Sequence, residues 1–148
     1  IGLHVVLIGN VRDSNYFSVM NDQFKGVFSY LGYMEHDSPI LQSAYSACQV
    51  FALPSLLETP GLAALEAAAA GVPLVITYEG CTEEYFGDDA YYVDPKSVSD
   101  IAEKLSMAIS NSTKNRLQER VRQFSWSRVA KELETAYIQA MKTKTKKI

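Results

Sequence analysis

Short apolar runs at residues 3–8, 26–30, 49–53, 72–77 and 90–94 alternate along the chain with stretches of helical spacing, and this alternation limits the fold more than any other feature. No tight hairpin signal joins one run to the next. Each strand must therefore reach its neighbour through a crossover, which makes the strands parallel. The architecture to expect is α/β, a Rossmann-like parallel sheet flanked by helices, with ligands at the carboxyl ends of the strands. Residues 3–8 read as a strand buried on both faces, with His4 packed in it or at the sheet edge. Helices are expected over 13–24, from Pro39 to about 47, over 61–70, 82–86, 97–110, 113–123 and 126–141. The alanine-rich helix ends at Gly71.

With 148 residues, 47% of them hydrophobic, the chain is long enough for one sizeable core. Residues 1–141 read as one domain, and the Lys/Thr segment 142–148 as a basic disordered tail. The first residue already stands in a strand-like run without an initiator Met, so the expectation is a piece cut from a longer chain. Residues 51–100 carry one basic side chain, Lys96, against nine acidic ones, a net −8, while residues 101–148 carry eleven basic against four acidic, a net +7. The acidic centre excludes a nucleic-acid groove, which needs clustered Lys and Arg. The basic end reads as a solvated helix face, with peripheral contact at an anionic membrane surface as the alternative. Cys48 and Cys81 read as reduced thiols of a cytoplasmic protein. His4 and His36 stand alone and no metal-ligand spacing occurs, so no metal is expected. Asp88-Asp89 reads as a solvated turn and not as a catalytic pair.

The informative segment is LPSLLETPGLAALEAAAAGVP, residues 53–73. Thr59 is expected to cap a helix whose first residue is Pro60, leaving the N–H groups of Gly61, Leu62 and Ala63 unpaired at its first turn. Those donors and the positive end of the helix dipole form an anion site. Glu58 precedes the helix and Glu66 lies inside it, on the side of Leu62. Both carboxylates are suited to accept hydrogen bonds from sugar hydroxyls. The structural alternatives are a loop carboxylate near a helix dipole and a solubilising residue on an apolar helix.

Glu58, seven residues, Glu66, then Ala67 and Gly71-Val72-Pro73 resemble the Glu-x7-Glu signature of glycosyltransferase family 4, the group 1 retaining transferases of GT-B fold. The resemblance runs from about Val6 to Tyr137. It includes Leu7-Ile8-Gly9, the stretch from Phe28 to Tyr33, the lead-in Leu53-Pro54-Ser55, Gly80-Cys81-Thr82-Glu83-Glu84, Val93-Asp94-Pro95 and Phe124-Ser125-Trp126. It implies the C-terminal half of a GT-B fold that binds a nucleoside diphosphate sugar. Glu58 is then the catalytic-site glutamate on the donor sugar, Glu66 the ribose ligand, and Gly61, Leu62 and Ala63 the backbone donors to the distal phosphate. Gly32 and Tyr33 fall in the loop beside the base. The implied reaction moves a hexose to an acceptor with retention of configuration and without a metal cofactor.

Two departures stand out. Thr59-Pro60-Gly61 replaces the family's frequent Gly-Phe-Gly, and Pro60 has no N–H to offer. The Arg and Lys that neutralise the diphosphate in the family precede the first residue of this chain. The N-terminal acceptor domain is missing as well, so the chain by itself is expected to be inactive. The alternative function is a non-catalytic α/β module that binds a nucleotide or phosphate, or serves as an interaction domain.

Overall fold

The computed structural model describes residues 3–111 and 114–145. The chain divides into two compact units, Ile1–Ala47 and Cys48–Ile148.

In the first unit β1 (Val5–Leu7) pairs in parallel with β2 (Phe28–Tyr30), Val5 opposite Phe28 and Leu7 opposite Tyr30. Helix α1 (Ser14–Gln23) makes the crossover. It starts where Asp13, in extended backbone, accepts the Tyr16 N–H on Oδ1 at 2.9 Å and so satisfies a first-turn donor. Phe17 carries the packing onto β2, its ring centroid 4.8 Å from Tyr30 and 6.5 Å from Phe28. Helix α2 (Pro39–Ala47) begins at the expected proline, with the Ser38 carbonyl taking the Gln42 N–H at 3.1 Å.

The strand expected to be buried on both faces is three residues long, and Val5 and Val6, on opposite faces, are 45% and 49% exposed. The apolar run is therefore misread as a central strand. His4 is exposed, with Nε2 2.9 Å from Ser29 Oγ.

In the second unit the parallel order is β3 (Phe51–Leu53), β4 (Leu74–Thr77), β5 (Tyr91–Val93). Central β4 is buried along its whole length. Val75 packs with Val93 and Ala108, supported by Ile101 and Leu105 of α5 (Val98–Ser110). Alternation turns Leu74 and Ile76 to the opposite face. There lies α3 (Leu62–Ala69), whose Ala64, Ala67 and Ala68 are fully buried. Methyl-sized side chains let the helix approach both the sheet and α6 (Lys114–Val121), which contributes Leu117 and Val121 to the core.

Helix α3 ends as expected. The Gly71 N–H bonds the Ala68 carbonyl at 2.9 Å and the Val72 N–H bonds that of Ala67 at 3.0 Å, the double closure of a Schellman motif. Gln118 Nε2 caps the Ala69 carbonyl at 2.8 Å. The chain then passes directly into β4.

Asp88 is exposed, as expected of a solvated turn, but Asp89 is not. After α4 (Thr82–Phe86) a single 3-10 turn, Gly87–Asp89, presents Asp89 to α6, where Arg116 and Arg120 lie one turn apart and both reach its carboxylate. Helix α7 (Trp126–Thr145) extends past residue 141, where the sequence reading ended it, into the segment expected to be a tail. Residues 146–148 of that tail, and residue 113 at the expected start of α6, lie outside the described residues.

Candidate functional site

The loop leaving the carboxyl end of β3 carries Glu58, and its backbone is fixed by the turn leaving the adjacent strand. The Glu58 N–H donates to the Glu79 carbonyl at 3.1 Å, and the Glu58 carbonyl accepts from the Cys81 N–H, also at 3.1 Å. Between those bonds Gly80 forms an isolated parallel bridge with Glu58. A Cβ at Gly80 would overlap the Glu58 carbonyl oxygen and stand 2.9 Å from its carbon and 3.2 Å from its nitrogen, and φ is +107°, so glycine is required on both counts.

The start of α3 differs from expectation. Thr59 is not its cap and Pro60 is not its first residue: the cap is Gly61 in the left-handed conformation, φ 63° and ψ 64°, and the helix begins at Leu62. Pro60 fixes its own φ, and the sharp reversal into the helix then falls on the next residue, where only glycine takes positive φ without penalty. The Gly61 carbonyl accepts from Ala64 N–H at 2.9 Å and Leu65 N–H at 3.0 Å. Leu62 and Ala63 are the first-turn residues whose N–H groups have no intrahelical acceptor. The Glu58 carboxylate lies beside this helix start, with Oε2 3.9 Å from the place a Cβ on Gly61 would take. Glu66 shares the exposed face of α3 with Leu62, while Ala64, Ala67 and Ala68 face inward. The structure thus brings Glu58, Gly61, Leu62 and Ala63 together and sets Glu66 one turn further along the same helix.

The turn after β4 is tied internally. Thr77 Oγ1 accepts the Glu79 N–H at 3.1 Å, and Thr82 Oγ1 donates to the Thr77 carbonyl at 2.7 Å, with both threonines buried. Sequence reasoning placed a turn at Glu79-Gly80-Cys81 and missed that it grips Glu58. Tyr78, on the same turn, is half exposed, and its phenol is shifted upward chiefly by the Asp94 carboxylate.

Gly32 and Tyr33 belong to the first unit. Gly32 follows β2, and its carbonyl accepts the Gly9 N–H at 2.9 Å. Tyr33 is exposed and donates to Glu35 Oε2 at 2.9 Å, a bond that with the charge of Glu35 shifts the phenol upward. A cleft of about 400 Å³ opens at the carboxyl end of β1, lined by Gly9, Arg12, Tyr16, Phe17 and Tyr30 among others. The sequence signal for it was Gly9-Asn10 closing the strand. Among the described residues no group of three or more His, Cys, Asp or Glu side chains is placed to hold a metal ion, and no helix is long and apolar enough to cross a membrane.

The profile of the family described as "Glycosyl transferases group 1" matches residues 2–124. The O-antigen chain mannosyltransferase B of Escherichia coli is 30% identical over 119 residues, which are 76% of this chain and 30% of that protein. The chain thus spans about a third of the length of this curated relative. Among solved structures, the C-terminal domain of a group 1 glycosyl transferase family protein from Francisella tularensis superposes with a TM-score of 0.67 at 30% identity, covering 80% of this chain and 67% of that one. Sucrose-phosphate synthase from Thermosynechococcus elongatus shares the fold, with a TM-score of 0.80 at 21% identity over 96% of this chain and 39% of that one.

Proposed function

The chain belongs to the glycosyl transferases group 1, and on that premise we propose that it is the donor half of a retaining hexosyltransferase, binding a nucleoside diphosphate sugar at the start of α3. The observation that carries this reading is the position of the Glu58 carboxylate beside Gly61, next to two first-turn amides aimed out of the helix. A diphosphate set against the Leu62 and Ala63 N–H groups meets the positive helix end, and Glu58 then faces the sugar attached to it.

The chemistry needs little from the chain beyond charge and orientation. The bond from the anomeric carbon to the diphosphate oxygen breaks while the acceptor oxygen bonds the same carbon on the same face. The acceptor proton passes to the departing diphosphate. Leu62 and Ala63 stabilise the charge growing on the leaving phosphate, and Glu58 accepts hydrogen bonds from the sugar hydroxyls and balances positive charge at the ring. Glu66 takes the ribose hydroxyls. Pro60 contributes no donor. No metal enters the scheme. The cations that neutralise the diphosphate and the domain that holds the acceptor are assigned to the remainder of the complete protein, in a cytoplasmic enzyme whose basic helical end is a solvated face.

The test is made on the complete protein with UDP-, GDP- and ADP-hexoses, following diphosphate release and the anomeric configuration of the product by NMR. Transfer with the donor's configuration kept is expected. Transfer with inversion, or failure of all such donors at roughly 1 mM while the protein remains folded, would overturn the reading.

A further inference from the structure

We propose that the turn 77–82, with Gly80 at its centre, is the positioning element for the Glu58 side chain; the proposal rests on the donor-site reading given above. A carboxylate that orients a substrate must be held to within about half an ångström by groups that are themselves fixed. Glu58 lies in a loop, outside helix and strand, bounded by Pro54 and Pro60. Its peptide is held from one side by the Glu79 carbonyl and from the other by the Cys81 N–H, with the bare Cα of Gly80 against it. Those three backbone groups are referred in turn to buried β4. Thr77, its last residue, takes the Glu79 N–H on its hydroxyl and the Thr82 hydroxyl on its carbonyl. The fully buried central strand of the second unit therefore sets where Glu58 stands relative to the start of α3.

Gly80 and Thr77 are thus positioning residues that act through Glu58. Adding one methyl at Gly80 must push the Glu58 peptide away, because the group in its path is backbone. Replacing Thr77 by valine keeps the shape but leaves the Glu79 N–H without its acceptor, which loosens the same turn without a clash.

A double-mutant cycle in the complete protein separates positioning from general stability. Gly80→Ala is expected to lower kcat/KM at least tenfold in the wild-type background and less than threefold further in the Glu58→Gln background, since the carboxylate it misplaces is already gone. Thr77→Val is expected to follow the same pattern with a smaller loss, and it carries the cycle if Gly80→Ala does not accumulate as folded protein. Equal losses in both backgrounds, or wild-type activity in both variants, would overturn the proposal. Wild-type turnover of Glu58→Gln by itself would instead overturn the donor-site reading beneath it.

Discussion

Arg120 Nε lies 2.7 Å from Asp89 Oδ2 and pins α6 to the turn that follows α4. Arg116 reaches the other oxygen of the same carboxylate at 3.3 Å, but its side chain is 80% exposed where that of Asp89 is 8%. The two arginines should therefore differ sharply in weight. Arg120→Ala leaves a buried carboxylate with one solvated partner and is expected to cost roughly 2 kcal/mol, whereas Arg116→Ala should cost about 0.5 kcal/mol or less. Urea unfolding of the two variants checks this, and equal losses would refute the assignment.

Tyr92 donates to the Gly87 carbonyl at 2.8 Å, and its phenol is pushed up to about 12, first by burial and then by the Glu83 carboxylate, with Arg120 acting in the opposite sense. A raised pKa means that the folded state keeps the proton after the unfolded chain has lost it. The stabilisation is complete below pH 10, the ordinary value, and is lost as pH rises to about 12. Tyr92→Phe lowers stability by about 1 kcal/mol through the missing hydrogen bond. The Tm gap between wild type and this variant should stay constant up to pH 10 and narrow above it. A gap that widens would contradict the sign.

Glu66 stands on the exposed face of α3, one turn beyond the amides assigned to the phosphate. If it holds the ribose, far from the reacting carbon, Glu66→Ala in the complete enzyme should raise the donor KM about tenfold and leave kcat within about threefold. A fall in kcat with KM unchanged would move Glu66 into the chemistry.

The chain has only Arg12 and Lys25 as cations before Lys96, and the middle third that carries the site has a net charge of −8. On the donor-site proposal, helix-start amides alone would face the diphosphate against that field. Calorimetric titration of the isolated chain with UDP, GDP and ADP should give a Kd on the order of 1 mM or weaker, and micromolar binding would show that the donor site needs no further cations.

What the sequence disclosed and what it hid follow from the range of the interactions involved. Residues 72–77 were legible as a strand because an apolar run between Gly71 and a polar turn needs no tertiary information, and the end of α3 was legible for the same reason. The start of α3 was misread because two local rules compete there: proline favours the first helical position, but Gly61, the next residue, accepts the left-handed turn more cheaply. Asp89 looked like a surface turn because its partners arrive from α6, far along the chain. The contact of Gly80 with Glu58 joins two loops through backbone atoms, which leave no trace in side-chain pattern. The exposure of Val5 and Val6 depends on what packs on each face of β1, and apolar content does not encode that.

The central claim is that the carboxylate beside the start of α3 serves a bound sugar donor. The most direct measurement is steady-state turnover of Glu58→Gln in the complete protein, made together with its melting temperature. The half-buried side chain keeps its size, so Tm should move by no more than about 2 °C while kcat falls about a hundredfold or more, in the range found when a group that stabilises transition-state charge is removed. A variant that melts like wild type and turns over within about threefold of it would contradict the account.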